Sequence, residues 1–220
     1  MKGLVGLVHT TRLVIEPVHE ALTGQCPELA FSHVLDEGIL RSLAKRGAIS
    51  EEISQWLTNM VLSTEAIGAD LTVVSCSSLS PCVNEVRQRV KIPVLKIDEP
   101  MMEHAISAAD RIGLVMTNPT TEKPSTLLFH EVAGRLDRDV TLLPRLCPDA
   151  FAKLNQGDLA GHDSEVCETV DALLKEVDVV ILAQISIARV REHLDPAISK
   201  RVFSSLDFIS QKIKEVLDGK

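Results

Sequence analysis

The chain has 220 residues, 45% of them hydrophobic and 25% charged, with a formal net charge of −8. That length holds one large core or two small ones. The acidic balance, with no basic run, excludes a nucleic-acid surface, which needs clustered Lys and Arg.

The N-terminus reads Met-Lys-Gly-Leu-Val-Gly-Leu-Val-His. Its apolar stretch is only a few residues long and no cleavage site follows, so it is read as a first β-strand and not a signal peptide. No segment approaches the ~18 apolar residues of a membrane span, and a cytoplasmic location is expected. Strands are predicted at Gly3–Val8, Ala30–Val34, Leu71–Ser75, Val94–Ile97, Ile112–Met116, Val140–Leu143, Val179–Leu182 and Val202–Ser204. Apolar runs of this kind, without alternation, fit parallel strands covered on both faces. Helical patterns lie between them, as in βαβ units. Ser50 precedes Glu51 and Glu52, then Ile53, Trp56, Leu57, Met60 and Val61 follow at helical spacing, with Gly68 as the stop. Pro100 suits a first helical turn after Asp98-Glu99. Ser164–Val177 places Val166, Val170, Leu173 and Leu174 on one face, and a last helix is predicted over Asp207–Leu217. Gly157–Asp163 is the most loop-like stretch, read as a surface loop with a mobile flap as the sharper alternative. The five cysteines are odd in number and widely spaced, which fits reduced thiols better than a disulfide framework or a zinc site.

The sequence repeats itself. Gly6-Leu7-Val8-His9-Thr10 recurs as Gly113-Leu114-Val115-Met116-Thr117, a shift of 107 from residue 6 to residue 113. Asp70-Leu71-Thr72-Val73-Val74-Ser75-Cys76 recurs as Asp178-Val179-Val180-Ile181-Leu182-Ala183-Gln184, a shift of 108 from residue 70 to residue 178. The expectation is an α/β protein of two pseudo-symmetric domains, each with a parallel sheet of about four strands flanked by helices, facing across a cleft. The division is placed at residues 1–98 with 207–220, and 99–206.

In open α/β sheets ligands sit beyond the carboxyl ends of the strands. Four such ends are rich in small hydroxyls: His9-Thr10-Thr11, Cys76-Ser77-Ser78, Thr117-Asn118-Pro119-Thr120-Thr121 and Gln184-Ile185-Ser186. Hydroxyls beside free helix N–H groups cradle an anion, most simply a carboxylate; the plainer reading is helix capping. Cys76 is expected at a helix N-terminus, where dipole and N–H groups favour the thiolate. Cys26, Cys82, Cys147 and Cys167 lack that context. His9 is a candidate acid near neutral pH, a substrate ligand, or a turn residue, while His104, His130, His162 and His193 read as surface or helix residues. Neither metal-ligand spacing nor a nucleotide-binding glycine pattern is present, so no cofactor and no metal are expected.

With Cys76-Ser77-Ser78 and Thr117–Thr121 in place, the chain resembles the aspartate/glutamate/hydantoin racemase superfamily. His33–Gly38 and Lys96–Met101 resemble further segments of one branch. The resemblance covers most of the chain. It implies a cofactor-independent enzyme whose C-terminal helix returns to the first domain. It also implies a thiolate that removes the α-proton while a second thiol delivers one on the opposite face. The departure is Gln184, which stands where the family carries the second Cys; an amide does not exchange protons at useful cost. His9, Asp36, Asp98 and Ser186 are the candidates for a replacement acid. The resemblance extends to the arylmalonate decarboxylases, which need one proton donor, and to the maleate isomerases, which add a first-motif Cys to a double bond.

The expected function is racemase- or isomerase-like chemistry beside the carboxylate of a small organic or amino acid. Cys76 is the base or nucleophile, with His9 as second catalytic candidate. Thr10, Thr11, Ser77, Ser78, Thr117, Thr120, Thr121, Gln184 and Ser186 are the substrate-binding candidates. The alternatives are decarboxylation of a malonate-type acid and a non-catalytic carboxylate-binding relative. The expected partner is the small carboxylate, with no nucleic acid and no membrane; homo-oligomerisation is left open.

Overall fold

The computed structural model describes residues 3–219; the first two residues and the last residue of the expected first domain lie outside that range. The chain forms two compact units, Met1–Ile97 with Phe208–Lys220, and Asp98–Asp207.

The first unit carries β1 (Leu4–His9), α1 (Ile15–Gln25), β2 (Ala30–Leu35), α2 (Glu37–Arg46), α3 (Glu51–Ala66), β3 (Leu71–Val74), α4 (Ser80–Val86) and β4 (Val94–Lys96). Its parallel sheet has the order β2-β1-β3-β4. The second unit carries α5 (Glu99–Ala108), β5 (Arg111–Met116), α6 (Pro119–Arg135), β6 (Thr141–Leu146), α7 (Pro148–Asn155), α8 (Leu159–Leu173), β7 (Val179–Leu182), α9 (Pro196–Ser199) and β8 (Val202–Ser204). Its parallel sheet runs β6-β5-β7-β8, the same order one repeat later. The last helix, α10 (Ile209–Asp218), belongs to the first unit, where Ile209 and Ile213 are fully buried.

Register makes the repeat exact. Val8 pairs with Val74, and Val115 with Leu182. The peptide after each pair closes the same hydrogen bond, Ser75 N to Val8 O and Ala183 N to Val115 O, both 3.0 Å. The repeated glycines have a packing reason. A Cβ on Gly6 would lie 2.5 Å from Thr64 Cβ in α3, and one on Gly113 would lie 2.4 Å from Leu173 Cδ2 in α8. The repeated aspartates have a structural one. Asp70 accepts from Leu4 N at 2.9 Å and Asp178 from Arg111 N at 2.8 Å, each holding the start of its unit's central strand.

Local signals read from sequence recur with small changes. Ser50 caps α3 by accepting from Ile53 N, and Gly68 ends it at φ +85°. Two readings are corrected. The strand expected to stop at Leu143 runs through Pro144 to Leu146. It pairs only with β5, and an edge strand tolerates the proline's missing N–H. The stretch 157–163, read as a surface loop with a mobile flap as the alternative, is helical from Leu159 onward. Gly157, at φ +83°, and Asp158 end α7 with the paired N–H bonds to Leu154 O and Lys153 O of a Schellman motif. Asp158 then caps α8, accepting from Gly161 N at 2.9 Å. The helix expected from Ser164 therefore begins at Leu159, and His162, read as a surface or helix residue, is a fully buried helix residue.

Candidate functional site

β3 delivers Cys76 to the end of the first unit's sheet. Cys76 has extended backbone and is the N-cap of a single 3-10 turn, Ser77–Leu79, that leads into α4. It is 9% exposed and belongs to the core formed with Val8, Val74, Leu79 and Cys82. Ser77 and Ser78 are buried beside it, and so is Thr10 at the end of β1. Thr11 takes the plainer role foreseen for it: its Oγ1 caps the turn Arg12–Val14 by accepting from Leu13 N. Arg12 then grips Glu37 at the start of α2, Nη2 to Oε2 at 2.6 Å, and holds that carboxyl well below the usual range.

Lys96 ends β4 and is 1% exposed, rare for an ammonium. As the register partner of Val74, it sends its side chain to the same sheet face. Sequence reading did not single it out, because one Lys at a strand end carries no periodic signal.

His9 ends β1 and is fully buried. Its Nδ1 is 2.8 Å from Ser75 Oγ and its Nε2 is 3.0 Å from His33 Nδ1; His33 Nε2 is in turn 3.0 Å from His19 Nδ1. Ser75 Oγ donates to the carbonyl of Val8 at 3.1 Å. That bond orients the whole chain: Ser75 accepts from His9 Nδ1–H, His9 Nε2 accepts from His33 Nδ1–H, and His33 Nε2 accepts from His19 Nδ1–H. Burial, assisted by His33, lowers the His9 pKa to about 4. The ring is therefore neutral at pH 7, which suits a hydrogen-bonding role, one of the three weighed for it, better than that of an acid near neutrality. Ser75, His33 and His19 were not among the site candidates; their only signal was polarity inside otherwise apolar segments.

The second unit repeats the layout with different chemistry. Gln184 holds the place of Cys76, at the N-cap of the 3-10 segment Ile185–His193. Its Oε1 accepts from Thr117 N at 2.7 Å, Asn118 N at 3.1 Å and Thr117 Oγ1 at 3.3 Å. Asn118 caps α6, its Oδ1 accepting from Thr120 N at 3.0 Å and Thr120 Oγ1 at 2.9 Å. Thr121 N donates to Asn118 O, and the Thr121 side chain is buried. The N–H groups expected to cradle an anion here are thus taken: Thr117 and Thr120 spend these donors within the protein.

Ser186 is half-buried, and its carbonyl accepts from Arg189 Nη1 at 3.1 Å. Arg189 also clamps Asp163 of α8, Nε to Oδ2 at 3.0 Å and Nη2 to Oδ1 at 2.8 Å, tying the Gln184–Ser186 turn to that helix. Burial opposes the Asp163 charge, but the bonds from Arg189 and His162 prevail and hold its carboxyl below the usual range.

Of the other candidate acids, Asp36 is committed within the first unit. Asp36 caps α2 through Gly38 N at 2.8 Å and accepts from Trp56 Nε1 at 2.9 Å. Asp98 is buried at the N-cap of α5. Cys147 corrects the sequence reading: it too stands at a strand end as a helix N-cap, before α7. Burial nonetheless raises its pKa, as it does for Cys26, Cys82 and Cys167. Among the described residues no group of three or more His, Cys, Asp or Glu could hold a metal ion, and no helix is long and apolar enough to cross a membrane.

Two parallel four-stranded α/β units of one topology, with polar turns at the carboxyl ends of their central strands, define a duplicated α/β protein. The sequence pattern of the Asp/Glu/Hydantoin racemase family matches residues 6–212, and the chain belongs to that family. No curated protein matches it by sequence. Among solved structures it is similar to glutamate racemase isoform RacE1 from Bacillus anthracis, at 18% identity and a TM-score of 0.77 over 99% of this chain and 82% of that one. It is also similar to allantoin racemase from Klebsiella pneumoniae, at 16% identity and 0.74 over 98% and 88%. Picrophilus torridus aspartate racemase aligns at 12% identity and 0.75 over 98% and 94%. At these identities the likenesses show the fold.

Proposed function

We propose that the chain is a cofactor-independent isomerase-type enzyme acting at the carbon beside the carboxylate of a small organic or amino acid, with Cys76 as its base. The observation that carries this reading is the position of Cys76. It caps a polar turn at the carboxyl end of β3, where α/β sheets present ligands, in a chain of the Asp/Glu/Hydantoin racemase family. Thr10, Ser77 and Ser78, buried at the same strand ends, are the donors assigned to the substrate carboxylate. The Cys76 thiolate takes the α-proton, the electron pair passes to the carboxylate as an enediolate, and nearby donors stabilise the developing charge. Protonation of that carbon on its opposite face by water inverts the configuration and the Cys76 thiol gives its proton to the solvent, whereas return by the thiol itself restores the starting acid.

Gln184 favours a second reading. Its oxygen is held by two backbone N–H groups and its amide supplies no proton. A reaction needing one proton donor fits that chemistry: in a malonate-type acid the carbon–carboxylate bond breaks, carbon dioxide leaves, the electron pair forms the enolate, and Cys76 protonates it. The two readings separate in heavy water. Small amino, hydroxy and malonic acids are incubated with the enzyme while α-deuterium and carbon dioxide are followed. Deuterium without carbon dioxide is expected for the first reading, and both together for the second. Cys76→Ser should lower either signal by at least a hundredfold with the melting temperature unchanged. Full activity in that variant would remove Cys76 from the chemistry.

A further inference from the structure

Lys96 ends β4, the strand beside the one that delivers Cys76, and its side chain is 1% exposed. An ammonium is almost never so buried unless an anion or several acceptors hold it. The register places it. Lys96 pairs with Val74, and Ile97 N donates to Val74 O at 3.1 Å, so the ladder runs on toward Cys76. Side chains alternate along extended backbone, which puts Val74, Cys76 and Lys96 on one face of the sheet. Diagonal neighbours of this kind lie about 7–8 Å apart, a gap that a lysine stem spans. His9 and Ser75 are one residue off that alternation and belong to the other face.

The shared face makes a thiolate costly. Cys76 is 9% exposed and packs in a core with Val8, Leu79 and Cys82. Burial raises the Cys82 pKa against a hydrogen bond with Ser54, and charge on Cys76 or Glu85 raises it further. Cys82 and Glu85, the titratable groups that α4 adds here, therefore oppose a negative charge on Cys76. An opposite charge within ~4–6 Å is what offsets such burial. We infer that Lys96 is a positioning residue whose ammonium pairs with Cys76 and holds it as the thiolate. The inference rests on the reading of Cys76 as the base and adds the group that keeps that base ionised. An ammonium has more than one N–H donor, so Lys96 serves the thiolate and its further polar partners together. It acts through Cys76 and not on the substrate.

The thiolate of Cys76 is read directly in the full chain. The rate at which iodoacetamide alkylates it is followed from about pH 6 to about pH 10, with the labelled cysteine identified by peptide mass spectrometry. The fraction of the high-pH rate that remains at pH 7 measures ionisation; an unperturbed thiol keeps about 3%, and wild-type Cys76 is expected above that. Lys96→Met should lower the fraction at least fivefold, whereas a merely structural ammonium would leave it unmoved. In wild type carrying 13C-labelled lysine, the Lys96 Cε resonance should move with the midpoint of the alkylation curve, and Cys76→Ser should abolish that step. This readout does not require the Lys96 variant to fold. A fraction in Lys96→Met within twofold of wild type, or a Lys96 resonance unmoved through the alkylation midpoint, would overturn the inference alone. A wild-type fraction at or below about 3% would overturn the reading of Cys76 as the base as well.

Discussion

At His9 every polar ring atom has a partner, and the order of donors is set by a carbonyl that can only accept, that of Val8. The chain of three imidazoles uses one proton per ring. A second proton on His9 or His33 would set two N–H groups against each other. Consistent with that geometry, burial lowers both pKa values, that of His9 to about 4 from 6.5. Between those two values the unfolded chain binds a proton that the folded chain refuses, so stability is greatest above pH 6.5 and falls as the pH drops toward 4. For His9 the loss is of order 3 kcal/mol when complete, and His33 adds in the same direction. Urea unfolding at pH 7.0, 5.5 and 4.5 should show this decline, and His9→Gln should flatten it. A stability that holds level across that range in the wild type would mean that the imidazole chain accepts protons without cost.

Among the elements, the two central strands carry the same glycine for the same purpose, yet their neighbours differ in compliance. The Cβ of an alanine at position 6 would meet Thr64 Cβ itself, an atom fixed to the α3 backbone; one at position 113 would meet Cδ2 and Cγ of Leu173, atoms that a rotamer change moves. Thr64 is further held by hydroxyl bonds to Val61 O and Thr72 Oγ1. Overpacking a tight core costs about 1–3 kcal/mol, and Gly6→Ala is expected near the top of that range with Gly113→Ala near the bottom. Chemical denaturation of the two single variants tests the order, and an equal or reversed pair would show that α3 shifts as readily as a leucine side chain turns.

For the whole molecule, the assignment of α10 to the first unit means that one core is assembled from the two ends of the described chain. Ile209 and Ile213 are fully buried, Lys214 Nζ donates to Gln25 O at 2.7 Å, and Ser210 Oγ donates to Gln25 Oε1. Truncating a buried Ile to Ala costs about 2–5 kcal/mol. Ile213→Ala should therefore weaken amide protection across β1–β4 while β5–β8, nearer to it in sequence, keep theirs. Hydrogen exchange read by mass spectrometry would show the pattern, and protection lost first from β5–β8 would contradict the assignment of α10 to the first core.

The sequence by itself determined the strands, their parallel kind and the duplication, because these follow from local apolar runs and from two matches at nearly one spacing. It also located Cys76 and Gln184, since each ends an apolar run and begins a polar turn. It did not reveal which donors were already spent. Thr117, Asn118 and Thr120 looked open as letters; only the register of β5 against β7 brings the Gln184 oxygen onto the first two, and Asn118 Oδ1 takes the donors of Thr120. Nor did it reveal the histidine chain, whose members come from β1, α1 and β2 and meet only when the sheet and its covering helix are assembled. Periodicity is a property of neighbours along the chain and survives in the string of residues. Hydrogen-bond satisfaction is a property of neighbours in space, and is decided by the tertiary structure.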